Sequence, residues 1–150
     1  MSKASAEQTI TFVVDLPPAA LRSNSRAHRW AKVKAKQAYS EMVWESWRET
    51  DAALWRETGT YRMSDPAWKA ARVTYEWRYC GVAPDLSNLG ANTKALQDML
   101  CMAPKTRQTN GTTYLGLVED DKGIEPVYRL KRVAHRVDEG VEIVIERIAD

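Results

Sequence analysis

The sequence is poor in cysteine, and its two cysteines, Cys80 and Cys101, fit neither a zinc-binding spacing nor a disulfide framework. It also lacks any apolar run close to the ~20 residues that a membrane-spanning helix requires. The first eight residues are polar and contain no apolar stretch of the kind found in secretory signals. We therefore expect a cytoplasmic protein without a membrane segment, in which both thiols are buried.

Internal repeats and low-complexity tracts are also absent, and the composition is that of an ordinary folded domain. Of the 150 residues, 44% are hydrophobic and 28% are charged, which argues against global disorder. A chain of this length can bury a core without disulfides or metals. We expect residues 1–150 to form a single domain.

Acidic residues are missing from one stretch, residues 16–40, which carries six Lys/Arg and one histidine. This leaves 16 of the 22 Lys/Arg against all 20 Asp/Glu in the rest of the chain, although the net charge is only +2. Such a local excess indicates a patch that binds a polyanion, with nucleic acid as the candidate partner. A solvent-exposed helix face without a partner is the alternative.

Hydrophobic periodicity and turn residues predict seven elements in the order β-α-β-α-β-β-β. The predicted strands are residues 9–14, 72–80, 115–118, 127–136 and 141–148, and the predicted helices are residues 26–54 and 86–100. We expect the last two strands to form a hairpin through residues 138–140. The result is an α+β domain with two main helices packed on one face of a mixed β-sheet.

The first predicted helix has an apolar stripe and a basic face. The stripe, which we expect to be buried, consists of Ala31, Ala35, Ala38, Met42, Val43 and Trp47. Arg29, Lys32 and Lys36 share another face, about one turn apart. The tryptophans are expected mainly in the core or in an interface, as the apolar surroundings of Trp47 and Trp77 indicate.

Two acidic motifs follow predicted strands. Asp85 comes after the second strand and precedes Ser87 and Asn88, while Asp120 and Asp121 come directly after the 115–118 run. Turns at strand ends commonly present functional side chains, and carboxylates from two turns could hold a Mg²⁺ ion that activates water for attack on a phosphodiester. The alternative is structural, because Asp at a helix start often caps the helix and Asp in a turn is often simply solvated.

These motifs resemble those of the RusA-type Holliday junction resolvases of phages and prophages. The resemblance lies in residues 85–89 (Asp-Leu-Ser-Asn-Leu), in Lys94, Asp98 and Leu100 farther along the same helix, and in residues 116–121 (Gly-Leu-Val-Glu-Asp-Asp). Asn88 and Lys94 are six residues apart, as in many phage members of the family.

The resemblance extends toward the N-terminus. Leu-Pro-Pro at residues 16–18, Asn24 and Arg-Ala-His-Arg-Trp at residues 26–30 are similar to the stretch that leads into the basic helix of the family. Taken together, the similar motifs cover roughly residues 9–148.

The resemblance implies a RusA-like fold and Mg²⁺-dependent cleavage of four-way DNA junctions by a homodimer, with Mn²⁺ as an alternative ion, in a bacterial host or phage-infected cell. Carried over by motif, the implied catalytic residues are Asp85, Asp121 and Lys94. The implied metal ligands are Asp85, Asp120, Asp121 and Ser87. The implied DNA-binding residues are Asn24, Arg26, His28, Arg29, Lys32 and Lys36. Asn88 is expected to support the site.

Ser87 departs from the family, which has Asp at that place. A hydroxyl supplies only a neutral oxygen to a divalent ion. Three outcomes stay open: Ser87 reaches the metal through water, Glu119 or Asp98 compensates, or cleavage is weakened. The alternative function is therefore a non-catalytic or weakly active protein that binds branched DNA. A protein without a nucleic-acid role is a third possibility, and the stretch 102–114, longer than expected, has no assigned role.

Lys94 and His28 each allow two interpretations. Lys94 follows Asp85 by nine residues, so it can lie on the helix beside the acids and neutralise charge on a phosphate. It can equally be an i,i+4 ion-pair partner of Asp98. His28 can contact phosphate or shape the start of the basic helix.

Overall fold

Four strands and two α-helices form the chain in the computed structural model, which describes residues 9–22, 25–62, 66–105 and 111–148. The elements are β1 (Thr9–Val14), α1 (Arg29–Thr58), β2 (Ala71–Tyr79), α2 (Leu89–Leu100), β3 (Ile124–Arg132) and β4 (Gly140–Arg147). Short 3-10 turns precede α2 and β3. Within these ranges, no helix has the length and apolarity needed to cross a membrane.

The four strands form one mixed sheet in the order β1-β4-β2-β3. β4 runs antiparallel to both β1 and β2, whereas β2 and β3 are parallel. Alternating side chains of each strand face the core, and the register aligns them in rows across the sheet. One such row consists of Phe12, Ile143, Tyr75 and Tyr128.

Both helices pack on the same face of this sheet. The Phe12 ring of β1 contacts the Trp47 ring of α1, with centroids 5.7 Å apart. On β2, which β4 separates from β1, the buried Trp77 indole donates a hydrogen bond from Nε1 to Oγ1 of Thr93 in α2, over 3.0 Å. Phe12 and Trp77 lie on one side of the sheet by register. The predicted α+β class, with a mixed sheet and two helices, is confirmed.

The predicted strand at residues 115–118 is wrong, so the described elements follow the order β-α-β-α-β-β. This segment makes only isolated bridges through Val118. Its amides bond to the end of α2: the Leu115 N–H donates to the Met99 carbonyl and the Leu117 N–H to the Leu100 carbonyl. Gly116, in the left-handed region with φ 68°, interrupts the extended backbone that a strand needs.

The predicted C-terminal hairpin is also wrong. β3 and β4 do not pair with each other, because β2 lies between them. The connecting segment instead crosses the end of β2, where the Val133 N–H donates to the Tyr79 carbonyl and the Cys80 N–H donates to Oε2 of Glu139. Turn residues at 138–140 are compatible with a hairpin, but they do not determine which strand becomes the neighbour.

Only part of the predicted apolar stripe of α1 enters the core. Val43 and Trp47 are buried, whereas Ala31 and Ala38 are exposed. The helix begins at Arg29, and its buried residues all lie between Tyr39 and Asp51, so its first ten residues contribute only half-buried and exposed side chains. Sequence periodicity shows which side of a helix is apolar but not how far the partner surface reaches.

The two cysteines differ in burial. Both are free thiols, and Cys101 is buried while Cys80 is only half-buried. The prediction of two buried thiols is therefore correct for Cys101 alone.

The Trp77–Thr93 hydrogen bond provides a test of how α2 is attached to the sheet. Thr93→Val keeps the side-chain volume but leaves the buried indole N–H unpaired, so we expect a loss of about 1–3 kcal/mol in the free energy of unfolding. Thr74→Val, on the opposite face of β2, is the matched control and should change the stability little. Urea unfolding measures both, and equal stability of the two variants would contradict the structure.

Candidate active site

Helix α2 presents a charged edge beside its buried face. Thr93, Leu96 and Met99 are buried against the sheet, as their three- and four-residue spacing requires. Lys94 and Asp98 are also four residues apart, each one position after a residue that faces the sheet. Their side chains are 55% and 32% exposed, respectively. The buried face therefore fixes the direction in which Lys94 and Asp98 point.

Lys94 joins Asp98 of α2 to Asp121 in the acidic motif before β3. Its Nζ lies 2.7 Å from Oδ2 of Asp121 and 3.1 Å from Oδ1 of Asp98. The predicted i,i+4 ion pair of Lys94 with Asp98 is confirmed, and Lys94 also reaches the acidic turn that is 27 residues away in sequence. One ammonium group thus holds the turn before β3 against α2.

The charges of this group stabilise one another. The hydrogen bond from Lys94, followed by that involving Asp120, lowers the pKa of Asp121 from 3.8 to about 2. In return, the hydrogen bond to Asp121 raises the pKa of Lys94. Burial, with the charges of Asp121 and Asp98, raises the pKa of the nearby Cys101 thiol to about 12, so this cysteine stays protonated and is not a nucleophile. At neutral pH the ammonium and the Asp121 carboxylate are both fully charged.

The acidic turn is held by backbone contacts. The Gly123 N–H donates to the Asp120 carbonyl over 3.0 Å, closing the 3-10 turn Asp121–Gly123. A β-carbon at position 123 would collide with the Lys69 carbonyl oxygen, so the close approach requires glycine. Gly123 is not among the predicted site residues, although a glycine directly after Asp-Asp-Lys is a visible signal for such a turn.

Asp85 and Ser87 form a separate pair at the other end of α2. Oδ1 of Asp85 accepts the Ser87 N–H over 3.0 Å and the Ser87 hydroxyl over 2.8 Å. The Asn88 N–H donates to the Asp85 carbonyl, and Asn88 is the residue directly before α2. Asp85 therefore caps the turn Leu86–Asn88, which is the structural role that the sequence left open.

The predicted metal ligands are divided between these two places. Asp85 follows the end of β2, whereas Asp121 precedes the start of β3, which is parallel to β2. Asp85 bonds to Ser87 before the first turn of α2, and Asp121 is grouped with Asp98 of its last turn through Lys94. Among the residues that the structure describes, no three His, Cys, Asp or Glu side chains are grouped so that they could hold a metal ion.

Asp120 and Asp121 nevertheless have the donor chemistry that Mg²⁺ accepts. Mg²⁺ keeps several waters and commonly binds through one or two carboxylates together with substrate phosphates. Of the acids considered as compensation for Ser87, Asp98 belongs to the Lys94 group. Glu119 is exposed, and its backbone N–H donates a hydrogen bond to the Trp68 carbonyl. The donor set thus fits a partly hydrated ion held by few protein ligands.

The predicted DNA-binding residues lie at the start of α1. Arg26, Arg29 and Lys32 are exposed and Lys36 is half-exposed, while Asn24 lies outside the described residues. The His28 Nδ1 accepts the Trp30 N–H over 3.3 Å, so His28 caps the helix and shapes its start.

Arg22 is the first basic residue of the acid-free stretch 16–40. The guanidinium of Arg22 lies over the Trp77 ring, 5.7 Å from its centroid, and Trp77 in turn is bonded to Thr93. Thr93 is the neighbour of Lys94 in sequence. This contact attaches the beginning of the acid-free stretch to the strand on which α2 packs.

The Lys94–Asp121 contact predicts a pH dependence. Because the folded-state pKa of Asp121 is lowered to about 2, its ion pair stabilises the protein above pH ~4 and is lost as the pH falls toward 2. We expect Lys94→Met to raise the pKa of Asp121 toward 3.8, as followed by NMR of the side-chain carboxyl carbon. Lys32→Met, which removes a distant positive charge, is the control. An Asp121 that titrates near 3.8 in the unsubstituted protein would contradict the contact.

Comparison with known proteins gives no match: no family model, no curated protein and no solved structure is similar to the chain at a significant level. Lys94, Asp98 and Asp121 are therefore interpreted from their own geometry and chemistry. The resemblance to the RusA-type resolvases rests on the motifs of the sequence, and membership of that family stays a prediction.

Proposed function

We propose that the chain is a Mg²⁺-dependent endodeoxyribonuclease that cleaves branched DNA, with the four-way junction as its substrate. The observation that carries this proposal is the 2.7 Å contact between Lys94 Nζ and Asp121 Oδ2. It joins two motifs, distant in sequence, that the resemblance names as parts of one catalytic site. Two carboxylates beside an exposed ammonium group are also the chemistry that phosphodiester hydrolysis uses.

Each charged residue has a distinct task in the proposed reaction. Asp120 and Asp121 would hold Mg²⁺, which supplies an activated water and charge neutralisation when bound. An ammonium group has three N–H donors, and Asp98 and Asp121 accept two of them. The third can donate to a phosphate oxygen, where Lys94 stabilises negative charge that develops during cleavage. Asp98 keeps Lys94 oriented along the helix.

The basic start of α1 supplies affinity for DNA. Its exposed cations can neutralise several phosphates and release their counterions, so binding is expected to weaken steeply as salt rises. Such contacts position DNA without recognising its base sequence. A protein without a nucleic-acid role would show no salt-dependent binding.

A homodimer is part of the proposal because a junction is resolved by two symmetric cuts, which need two related sites. Twofold assemblies are the commonest homo-oligomers. Neither argument selects the surface through which two copies of the chain associate.

The cleavage proposal is tested with the purified chain, a synthetic four-way junction and Mg²⁺. We expect paired nicks, and Asp121→Asn should lower their rate by at least about 100-fold, because the loss of a metal-binding carboxylate removes charge from the site. Junction binding by this variant should be retained. Asp138→Asn, in the exposed turn Arg136–Asp138, is the matched control and should cleave normally. Undiminished cleavage by Asp121→Asn would exclude the assignment.

A second candidate is a non-catalytic protein that binds branched DNA. The Ser87 hydroxyl, at the place of a family Asp, is 2.8 Å from Asp85 Oδ1, so Asp85 is occupied in capping its own turn. This favours a site that has lost a metal ligand while the basic helix persists.

Ser87→Asp distinguishes the two candidates. If the second candidate is correct, the unsubstituted chain should bind the junction without nicking it in Mg²⁺ or Mn²⁺, and Ser87→Asp should gain cleavage because it restores a charged ligand. Gel assays of nicking and binding measure both effects. The control is Ser87→Ala, which removes the hydroxyl without adding charge. Nicking by the unsubstituted chain would eliminate this candidate.

A further inference from the structure

The N-terminal third of helix α1 contributes no fully buried residue to the core. The 30 residues of α1 make the helix about 45 Å long. Its five buried residues all lie within positions 39–51, and the first ten residues, 29–38, include none. We term this first third of α1 the N-terminal segment; four of its ten residues, including Val33 and Gln37, are half-buried and the other six are exposed.

Trp30 is the second residue of the N-terminal segment and is 65% exposed, more than any other aromatic side chain in the described ranges. The exposed Trp55 at the other end of α1 stacks on Tyr61, with centroids 5.7 Å apart and an interplanar angle of 14°. Trp44 is covered by the guanidinium of Arg48. For Trp30, the described part of the chain provides no ring or cation contact of this kind. A large flat ring is therefore presented to solvent.

The surroundings of Trp30 indicate what such a ring can bind. Arg26, Arg29 and Lys32 lie within four residues of it in sequence and are exposed, and residues 16–40 contain no acid. Proteins that bind unpaired nucleotides combine a positive surface along the phosphates with aromatic rings on which bases stack. The His28 cap orders the first turn, because it accepts the Trp30 N–H. The ring is thus presented from an ordered, positively charged support.

We propose that Trp30 stacks on a base at the branch point of DNA, where continuous base stacking is interrupted, while the cations beside it hold the flanking phosphates. This inference rests on the proposed binding of branched DNA and adds to it the residue that recognises the branch. An acidic protein surface is the competing partner. DNA is favoured because it combines phosphates with an exposed aromatic face, which matches both the cations and the ring.

The experiment uses four-way junctions carrying 2-aminopurine either at the branch point or in the middle of an arm. Binding of the full chain should quench the fluorescence of the branch-point probe, because the indole ring stacks on it, and should leave the arm probe unchanged. Trp30→Ala should abolish the quenching and weaken junction binding about tenfold, with linear-duplex binding unchanged. Trp30→Phe should retain part of the quenching. Trp55→Ala, which removes an exposed tryptophan from the same helix, should behave as the unsubstituted chain.

The outcomes separate this inference from the proposed function. If the unsubstituted chain binds neither junction nor duplex, the proposed function fails and the inference fails with it. If the junction is bound and Trp30→Ala quenches the branch-point probe as before, only the inference is overturned. Two other results for Trp30→Ala would likewise reject branch recognition by Trp30. One is an equal loss of binding to junction and linear duplex, and the other is a change from dimer to monomer with unchanged quenching.

Discussion

The burial of one face of β2 beneath α2 is the constraint on which the candidate site depends. Trp77 donates to Thr93, and two positions earlier on the strand Tyr75 donates to Gln97, one helical turn farther along α2. Two hydrogen bonds a turn apart fix both the position of the helix and its rotation about its own axis. Lys94 and Asp98 follow those two helix residues directly, so the packing of the core sets where the charges stand.

Lys94 then links this helix to the turn Asp121–Gly123, which precedes β3. Its two carboxylate partners come from the same helix and from the segment before β3, and their exposure keeps the gain in stability small. The arrangement is more informative about chemistry than about stability. Opposite charges are concentrated where a phosphate can approach, and the buried Cys101 beside them is chemically inert.

The parts of the structure that follow from local patterns were predictable from the sequence. The alternation of Val73, Tyr75 and Trp77 gave β2 to within one residue, and the i,i+4 spacing of Lys94 and Asp98 indicated their ion pair. The 115–118 segment and the order of the strands were not predictable in this way. Their partners are the carbonyls at the end of α2 and the neighbours of β2, which lie far away in the chain.

The candidate site shows the same division. Capping by Asp85 is a local event that the residue type indicates, and the helix start at His28 is another. The approach of Asp121 to Lys94 depends on the whole path between α2 and β3, and the sequence suggested it only through the resemblance of its motifs. The exposure of Trp30 depends on what packs against the first turn of α1, which no periodicity in the helix reveals.

The close packing of Gly123 against the Lys69 carbonyl sets the position of the turn that carries Asp120 and Asp121, independently of the chemistry of those two side chains. The backbone of this turn packs against the backbone at Lys69, so a substitution of Asp120 or Asp121 removes a charge while this backbone contact remains. The substitution Gly123→Ala has the opposite effect: it displaces the turn and leaves both acids unchanged. If position 123 stays glycine, substitutions of the two acids over evolution can remove or restore the chemistry of the proposed site without a change in the backbone around it.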